Sequence, residues 1–299
     1  MFEGKINLYV IVGDPLTLID TGIGTPEAWT ALEEGLTEHG LKVEAIEQVV
    51  LTHKHADHIG LASQIHERSG AAIFIHEDDL DSITNLDALH AEFVPLVCER
   101  LRAFHTPEDE IEAMAKFLGH GKRFARQTQA EPLGDGHKFQ VSGHDLEVIH
   151  TPGHTQGSIC LRYGRYLFSG DHVLPTISPN IGAGELRRRG MMQRFLNSLD
   201  RVAKYQTDDL IVLPGHGSQF SNLAERAAEL KTHHLNREAS IIEILRSGGP
   251  KTVYETAKSL WSKLPGYHLT LGAAEVNAHL EKLIDEQRVR EENGRFEAI

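Results

Sequence analysis

Cysteine is scarce in this chain, whose 299 residues include only Cys98 and Cys160. Neither belongs to a CxxC pair, and neither lies close to a cluster of other metal-binding residues. We therefore expect two buried or inert thiols rather than metal ligands. Long apolar runs are missing as well, because no uninterrupted segment approaches the ~20 residues that a membrane-spanning helix needs. The sequence thus predicts no association with a membrane.

Basic residues are in deficit, since 30 Lys and Arg stand against 43 Asp and Glu and the formal net charge is −13. This charge provides no electrostatic attraction to nucleic acid and would repel an anionic membrane surface. The N-terminal residues lack the basic stretch, the apolar core and the small-residue cleavage site of a signal peptide. Together these absences predict a cytoplasmic protein.

The composition that remains is that of an ordinary α/β protein, with 40% hydrophobic and 24% charged residues. The first half alternates strands and helices, beginning with a hairpin of residues 7–12 and 16–19 and a buried strand over 46–51. Residues 78–129 change to helical periodicity and predict a helical insertion. Short strands then return over 139–141, 146–149, 158–162, 166–168 and 210–213. This order of elements predicts an α/β sandwich.

The sequence after residue 220 predicts mainly helices, over residues 223–245, 253–264 and 273–286. Asn293-Gly294 then separates two short alternating runs, which is a strong signal for a β-hairpin. Three helices followed by a hairpin are typical of a winged-helix-like domain. We therefore predict two domains, a larger one over 1–220 and a small one over 221–299.

The segment THKHADH, residues 52–58, contains four possible metal ligands directly after the strand predicted over 46–51. His53 and His55 alternate along an extended segment and can face one metal, whereas Asp57 and His58 can turn towards a second. Imidazole combined with carboxylate suits zinc, iron or manganese better than calcium or magnesium. The alternative interpretation is a run of exposed polar loop residues.

Three more candidates follow the ends of later strands, each beside a glycine: His154 in TPGHTQGS, Asp171 in FSGDH and His216 in LPGHGS. Glycine permits tight turns and close backbone approach, which a loop wrapped around a metal pair requires. Any one of the three alone is more typical of an ordinary loop residue. Their combination with the dense THKHADH segment predicts a metal site.

These motifs, preceded by the aspartate of Asp20-Thr21-Gly22, resemble the metallo-β-lactamase superfamily in residue type and in order. The resemblance implies an αββα sandwich that binds two divalent metal ions, with zinc first and iron or manganese as alternatives. It implies a ligand set in which Asp171 bridges the metals, the first metal being held by His53, His55 and His154 and the second by Asp57, His58 and His216. The implied enzyme is a metal-dependent hydrolase.

Two-metal chemistry gives this ligand set a mechanism, because a water that bridges two cations loses its proton near neutral pH and becomes the nucleophile. No protein nucleophile is then needed, and Asp57 is the candidate catalytic residue that orients the attacking group. Asp20 matches a family aspartate that supports the site without binding metal. His172, beside Asp171, is a further candidate for contact with the ligands.

Differences from known branches narrow the function that the resemblance implies. β-Lactamases of the superfamily usually carry cysteine or serine where this chain has Asp171, and flavo-diiron oxidoreductases carry glutamate where it has His55. Persulfide dioxygenases have almost the same residues but use one iron, and they stay an alternative. The C-terminal segment KTVYETAKSLW resembles a subset with a winged-helix-like domain, which includes thioesterase-like acyl hydrolases and an RNA-cleaving branch.

The substrate is predicted from the remaining features. The last predicted helix is acidic, which disfavours nucleic acid and favours a packing or homodimer role for the C-terminal domain. The run Arg187-Arg188-Arg189 is either a solvated helix start or a site for the phosphates of coenzyme A or RNA. The helical insertion either roofs the metal cleft or extends the core. We predict hydrolysis of a small acyl substrate, an ester or a thioester of coenzyme A or glutathione, with RNA cleavage as the alternative.

Overall fold

Two five-stranded β-sheets form the centre of the structure, a computed structural model that describes residues 5–119, 124–185, 187–262 and 266–299. Parts of the predicted insertion and of the helix predicted over 253–264 lie outside the described residues. The strands are β1 (Tyr9–Ile11), β2 (Thr17–Ile19), β3 (Gln48–Val50), β4 (Ala72–His76), β5 (Glu131–Leu133), β6 (Lys138–Val141), β7 (His144–His150), β8 (Ile159–Tyr163), β9 (Tyr166–Gly170), β10 (Ile211–Pro214), β11 (Val289–Glu292) and β12 (Arg295–Ala298).

The helices surround these sheets and continue to the C-terminal hairpin. They are α1 (Pro26–Glu38), α2 (Ala56–Ile59), α3 (Ala62–Ser69), α4 (Asp81–Thr84), α5 (Leu86–Ala103), α6 (Glu108–Gly119), α7 (Met191–Val202), α8 (Leu223–Gly248), α9 (Val253–Leu260) and α10 (Gly266–Asp285). Among the described residues, no helix is both long and apolar enough to cross a bilayer.

Strand direction brings the ends of several strands to one side of the molecule. The first sheet has the order β1-β2-β3-β4-β5, in which β2 to β5 run parallel. The second has the order β10-β9-β8-β7-β6, in which β10 is parallel to β9 and antiparallel pairing of β8 with both neighbours makes β7 run with β9. The predicted ligand segments follow β3, β7, β9 and β10, so each lies at the carboxyl end of a strand.

Apolar layers hold the sheets and helices together as an αββα sandwich, which confirms the predicted fold class. Between the sheets, Ile19 and Val50 of the first pack against Val148 and Phe168 of the second. The outer face of the first sheet is covered by α1 and α3, and the outer face of the second by α7 and the first half of α8. This packing follows from strands that are buried on both faces.

The helical insertion packs against the C-terminal helices rather than forming a separate unit. Val97 and Leu101 of α5 and Ile111 of α6 share one core with residues of α8, α9 and α10, among them Ile241 and Val276. The apolar face of the insertion therefore extends the core, which was one of the two interpretations of its periodicity. The domain boundary after residue 220 and the winged-helix-like assignment stay predictions.

Candidate metal centre

The THKHADH segment changes conformation at the point where its ligand residues change direction. His55 is in extended conformation and precedes α2, which begins at Ala56. His53 and His55 therefore lie before the helical turn, whereas Asp57 and His58 lie inside it. The rings of His53 and His58 also approach each other, with centroids 4.0 Å apart, so the division of these side chains between two metals stays a prediction.

The first ligand group consists of His53, His55 and His154. Nδ1 of His55 lies 3.1 Å from Nε2 of His53 and 2.9 Å from Nε2 of His154. A tetrahedral zinc ion with Zn–N bonds of about 2.0–2.1 Å separates two ligand nitrogens by about 3.3 Å. The three nitrogens are thus close enough together to share one ion.

The second ligand group consists of Asp57, His58 and His216, whose ligand atoms also lie within 4.8 Å of one another. Nε2 of His216 lies 3.4 Å from Oδ2 of Asp57. His58 is fully buried, whereas the Asp57 side chain is 17% exposed. The carboxylate of Asp57 is therefore the member of this group that meets solvent.

Asp171 lies between the two groups. Its Oδ2 is 3.8 Å from Nε2 of His154, 3.9 Å from Nε2 of His53 and 3.6 Å from Nε2 of His216. Its Oδ1 lies 3.5 Å from Nε2 of His58. A single carboxylate thus faces histidines of both groups, which is the position that a bridging ligand would need.

The outer nitrogens of four histidines have acceptors that leave Nε2 turned towards the centre. His58 Nδ1 donates to Oδ2 of Asp20 at 2.8 Å, and His154 Nδ1 donates to the carbonyl of Asn180 at 2.8 Å. His216 Nδ1 donates to the carbonyl of Lys5 at 3.2 Å, and His53 Nδ1 lies 3.1 Å from the Thr52 hydroxyl. Such outer partners fix the tautomer and orientation of metal-binding histidines.

Two glycines allow the backbone to pass directly beside the ligands. A Cβ at Gly215 would lie 2.3 Å from Oδ1 of Asp171, and a Cβ at Gly184 would lie 2.9 Å from Nε2 of His55. Both distances are shorter than Cβ contacts in folded proteins. Glycine is thus required beside Asp171, as expected for loops that wrap closely around a site.

Burial and mutual charge give the two groups opposite electrostatics. Burial and the neighbouring imidazoles lower the pKa of His53 well below its usual range and that of His55 to about 3. Burial also acts on His58 and His216, but nearby carboxylates outweigh it and raise the pKa of both. For Asp171, burial opposes ionisation, yet the facing histidines hold its pKa well below the usual value.

The fit of these residues to a metal pair rests on polar atoms that lack hydrogen bonds. Within the described residues, His58 Nε2, Asp171 Oδ1 and His216 Nε2 are buried and have no hydrogen-bond partner. Buried polar atoms without partners are costly and uncommon in native structures. Here they all point into the space between the ligand groups, where a cation would satisfy them. Imidazole and carboxylate donors suit zinc, iron or manganese.

The other predicted site residues lie in three different surroundings. Asp20 accepts hydrogen bonds from the backbone and the hydroxyl of Thr52, both at 2.8 Å, in addition to that from His58. It therefore contacts ligand residues from outside, as the resemblance implies. His172 is buried beside Asp171, but its ring packs edge-on against Phe195 of α7. Its contact with the ligands stays a prediction.

The three arginines lie over the C-terminal helices and the insertion. The Arg187 side chain donates to Glu92 at 2.7 Å, and Arg189 Nε lies 3.7 Å from Glu281. Arg188 is exposed. Two of the three guanidinium groups thus form ion pairs within the chain, and the phosphate-binding role of the run stays a prediction.

Sequence reasoning missed Asp79, a buried carboxylate that joins two ligand segments. It accepts hydrogen bonds from the backbone of Lys54 at 3.0 Å, from the Thr155 hydroxyl at 2.7 Å and from the backbone of Gly157 at 3.1 Å. Burial raises its pKa, but the ion pair with Lys54 and these hydrogen bonds oppose that shift. Its position in the acidic run HEDD gave no signal, because three adjacent acidic residues are typical of an exposed turn.

Comparison with known proteins agrees with this geometry. The family model described as the metallo-beta-lactamase superfamily matches residues 1–216, which include all seven candidate ligands. The chain belongs to the metallo-beta-lactamase superfamily. It is therefore a metal-dependent hydrolase by family, and the superfamily binds divalent metals at His and Asp clusters of the kind described above.

The relatives differ in how much of this chain they match. A probable metallo-hydrolase of Bacillus subtilis is 29% identical over 297 residues, which cover 96% of this chain and 90% of the relative. The crystal structure of a metallo-beta-lactamase family protein from Thermus thermophilus covers 98% of this chain and 94% of its own, with 30% identity and a TM-score of 0.81. An atrochrysone carboxyl ACP thioesterase of Aspergillus fumigatus is 28% identical over 80% of this chain and 44% of its own length.

Proposed function

We propose that this hydrolase acts on esters or thioesters and that the seven residues of the two ligand groups and Asp171 hold two divalent ions, with zinc as the first candidate. The observation that carries the proposal is the position of Asp171, whose two oxygens face histidines of both groups at 3.5–3.9 Å. Two bound cations lower the pKa of a water between them and so supply a nucleophile near neutral pH.

The residues of the chain have distinct roles in this reaction. His53, His55 and His154 present neutral imidazoles, because burial keeps the pKa of each below its usual range. Asp57 is the least buried of the carboxylates at the centre and is placed to orient the attacking group towards the substrate carbonyl. Asp20 holds His58 in one orientation from outside.

Support for a thioester comes from the thioesterase relative, which aligns with most of this chain although the chain spans less than half of that protein. The acidic character predicted for the last helix also favours a small acyl substrate over RNA. In the structure, α10 buries Val276, Leu280 and Leu283 in the shared core. A helix in this position packs inside the molecule, whereas a helix that enters a groove of nucleic acid must be exposed.

The decisive experiment combines metal analysis of the purified protein with a substrate panel of acyl-CoA thioesters, S-acylglutathiones, lactones, RNA and glutathione persulfide. We expect two equivalents of divalent metal and thioester turnover that disappears on metal removal and in His53→Ala. RNA cleavage without thioester turnover would replace this proposal by a nuclease. One iron with oxygen uptake would replace it by a persulfide dioxygenase.

The arginine run provides a test of the leaving group. If Arg188 contacts the phosphates of coenzyme A, Arg188→Glu should raise KM for an acyl-CoA about tenfold, since a charge-assisted hydrogen bond to phosphate is worth roughly 1.5–3 kcal/mol. KM for the corresponding S-acylglutathione, which lacks phosphate, should stay unchanged. Arg194→Glu, at an exposed position of α7, is the matched control. An unchanged KM for acyl-CoA in Arg188→Glu would remove the phosphate-binding role.

A further inference from the structure

The carbonyl of Asn180 contacts a candidate ligand, His154. Asn180 belongs to the segment between β9 and α7, whose described residues form neither a helix nor a strand. Its carbonyl accepts the hydrogen bond from His154 Nδ1 at 2.8 Å. This bond leaves Nε2 of His154 facing His55 at 2.9 Å. The orientation of one histidine of the first group therefore depends on where this segment is held.

The side chain of the same residue reaches the C-terminal helix α10. Asn180 Nδ2 donates to the carbonyl of Leu271 at 3.2 Å and to Oε2 of Glu275 at 3.4 Å. Glu275 in turn accepts from Arg237 of α8 at 3.4 Å, and Arg237 stacks on Trp261. One residue thus connects a candidate metal ligand, through its carbonyl, with the C-terminal helices, through its amide.

A second contact holds the segment two residues earlier. The Ser178 hydroxyl and Nε2 of His234 share a hydrogen bond of 3.0 Å, and Nδ1 of His234 lies 3.4 Å from Nε2 of His279. Both histidines are fully buried, and burial with the neighbouring His279 lowers the pKa of His234 to about 2. His234 is therefore a neutral imidazole, and its Nε2 is hydrogen-bonded to the Ser178 hydroxyl.

These hydrogen bonds lie on the side of the segment that faces a cavity. A cavity of about 480 Å³ lies between this segment and α8 and α10, and both Ser178 and Asn180 line it. Close packing fixes most buried loops, but on this side the segment faces open space. The next residue, Ile181, is fully buried in an apolar core, so packing holds one side of the segment and the polar contacts with Leu271, Glu275 and His234 hold the side that faces the cavity.

We propose that Asn180 is a positioning residue for the first ligand group and that the C-terminal helices, through Glu275 and Leu271, set the affinity of that group for metal. The inference rests on the ligand set given under the proposed function. Outer partners of metal-binding histidines typically contribute about 10- to 100-fold in metal affinity. The C-terminal helices thus contribute to the metal centre without supplying a ligand to it.

The test measures zinc affinity by competition with a chromophoric chelator in two backgrounds of the full chain. His216→Ala leaves the first group intact, and His154→Ala leaves the second intact, so each should bind one equivalent. Asn180→Ala should weaken zinc binding at least about tenfold in the His216→Ala background and leave the His154→Ala background unchanged. Glu275→Ala should show the same preference with a smaller loss.

Asn277→Ala is the matched control. Asn277 lies on α10, as Glu275 does, and its amide donates to the carboxylate of Glu281 at 2.9 Å, as the amide of Asn180 donates to that of Glu275. We expect no change of zinc affinity in either background. Equal affinity of Asn180→Ala and its parent, or an equal loss in both backgrounds, would overturn the proposal. Failure of the two backgrounds to bind one equivalent each would instead overturn the ligand set, so the two failures are distinguishable.

Discussion

The two ligand groups lie a few ångströms apart, yet they are built differently. The first has three imidazoles whose pKa values are held below the usual range by burial, with His55 at about 3. The second has two imidazoles, His58 and His216, whose pKa values are raised by the carboxylates around them. Burial is common to both, and the carboxylates of Asp57 and Asp171 act on histidines of each; the pKa is raised only where a carboxylate is hydrogen-bonded to the ring, as at His58 and His216.

The outer partners of the two groups differ at His58. The first group is supported by neutral acceptors, the Thr52 hydroxyl and the Asn180 carbonyl. The second has the carboxylate of Asp20 behind His58 at 2.8 Å, whereas His216 has a neutral acceptor, the carbonyl of Lys5. A metal-binding imidazole backed by a carboxylate is a stronger donor but also a stronger base. In the absence of metal, the first group therefore presents neutral imidazoles, whereas His58 and His216 must first lose protons to bind an ion.

The largest effect is expected from the one residue that the groups share. Asp171→Ala should abolish hydrolysis and reduce the metal content of both groups, because the carboxylate faces histidines of each. Metal content of the purified variant and turnover of the preferred thioester check this. Retention of both metals would show that the two groups bind their ions without Asp171 and would contradict its role as a shared ligand.

The next effect is a difference in pH dependence. The pKa of His58 is raised well above 6.5 and that of His216 is also raised, so in the absence of metal these residues bind protons at a higher pH than an ordinary histidine does. The first group takes up protons only in more acidic solution, since its pKa values are lowered. Acidification should therefore release metal from the second group at a higher pH than from the first.

Metal retained after dialysis at stepped pH measures this difference in the two single-group variants. His154→Ala, which keeps the second group, should lose its ion at the higher pH, and His216→Ala at the lower. Calorimetry in buffers of different ionisation enthalpy should detect protons released when metal fills the second group near neutral pH. Identical release curves for the two variants would contradict the assignment of opposite electrostatics.

The smallest effects are expected from the glycines beside each group. Gly215→Ala places a methyl group against Asp171 and His58 and should weaken metal binding in both single-group variants. Gly184→Ala meets only the end of the His55 ring and should weaken the first group alone, by about tenfold or less. Gly134→Ala is the control, because a Cβ there meets no atom within 4 Å. Equal losses of metal affinity from Gly184→Ala in both single-group variants would show that this glycine does not act on the first group alone.

Much of the fold was predictable because its strands are short apolar runs between clear turn signals. The hairpin around Asp14 and the terminal hairpin at Asn293-Gly294 form as predicted. The strand β5 was missed because it contains Pro132, a residue that disfavours strands except at an edge, and β5 is indeed the last strand of its sheet. Helix α10 begins at Gly266, seven residues earlier than predicted.

The site was predictable only where side chains carry the signal. His and Asp residues in characteristic motifs identified the ligand segments, which the structure brings together. The Asn180 carbonyl is a backbone group, and every residue has one, so no sequence pattern distinguishes it. The packing of the insertion against the C-terminal helices could not be predicted either, because periodicity locates the apolar face of α5 but not the surface against which it packs.

The length of α8 has a consequence for dissecting the protein. Its 26 residues form a rod of about 39 Å. Leu223 and Leu230 near its start cover the second sheet, and Ile241 and Leu245 near its end belong to the core shared with the insertion. A fragment that stops at residue 220 would therefore leave the apolar residues of α7 and the second sheet that α8 covers open to water, and we expect it to aggregate when expressed without the rest of the chain.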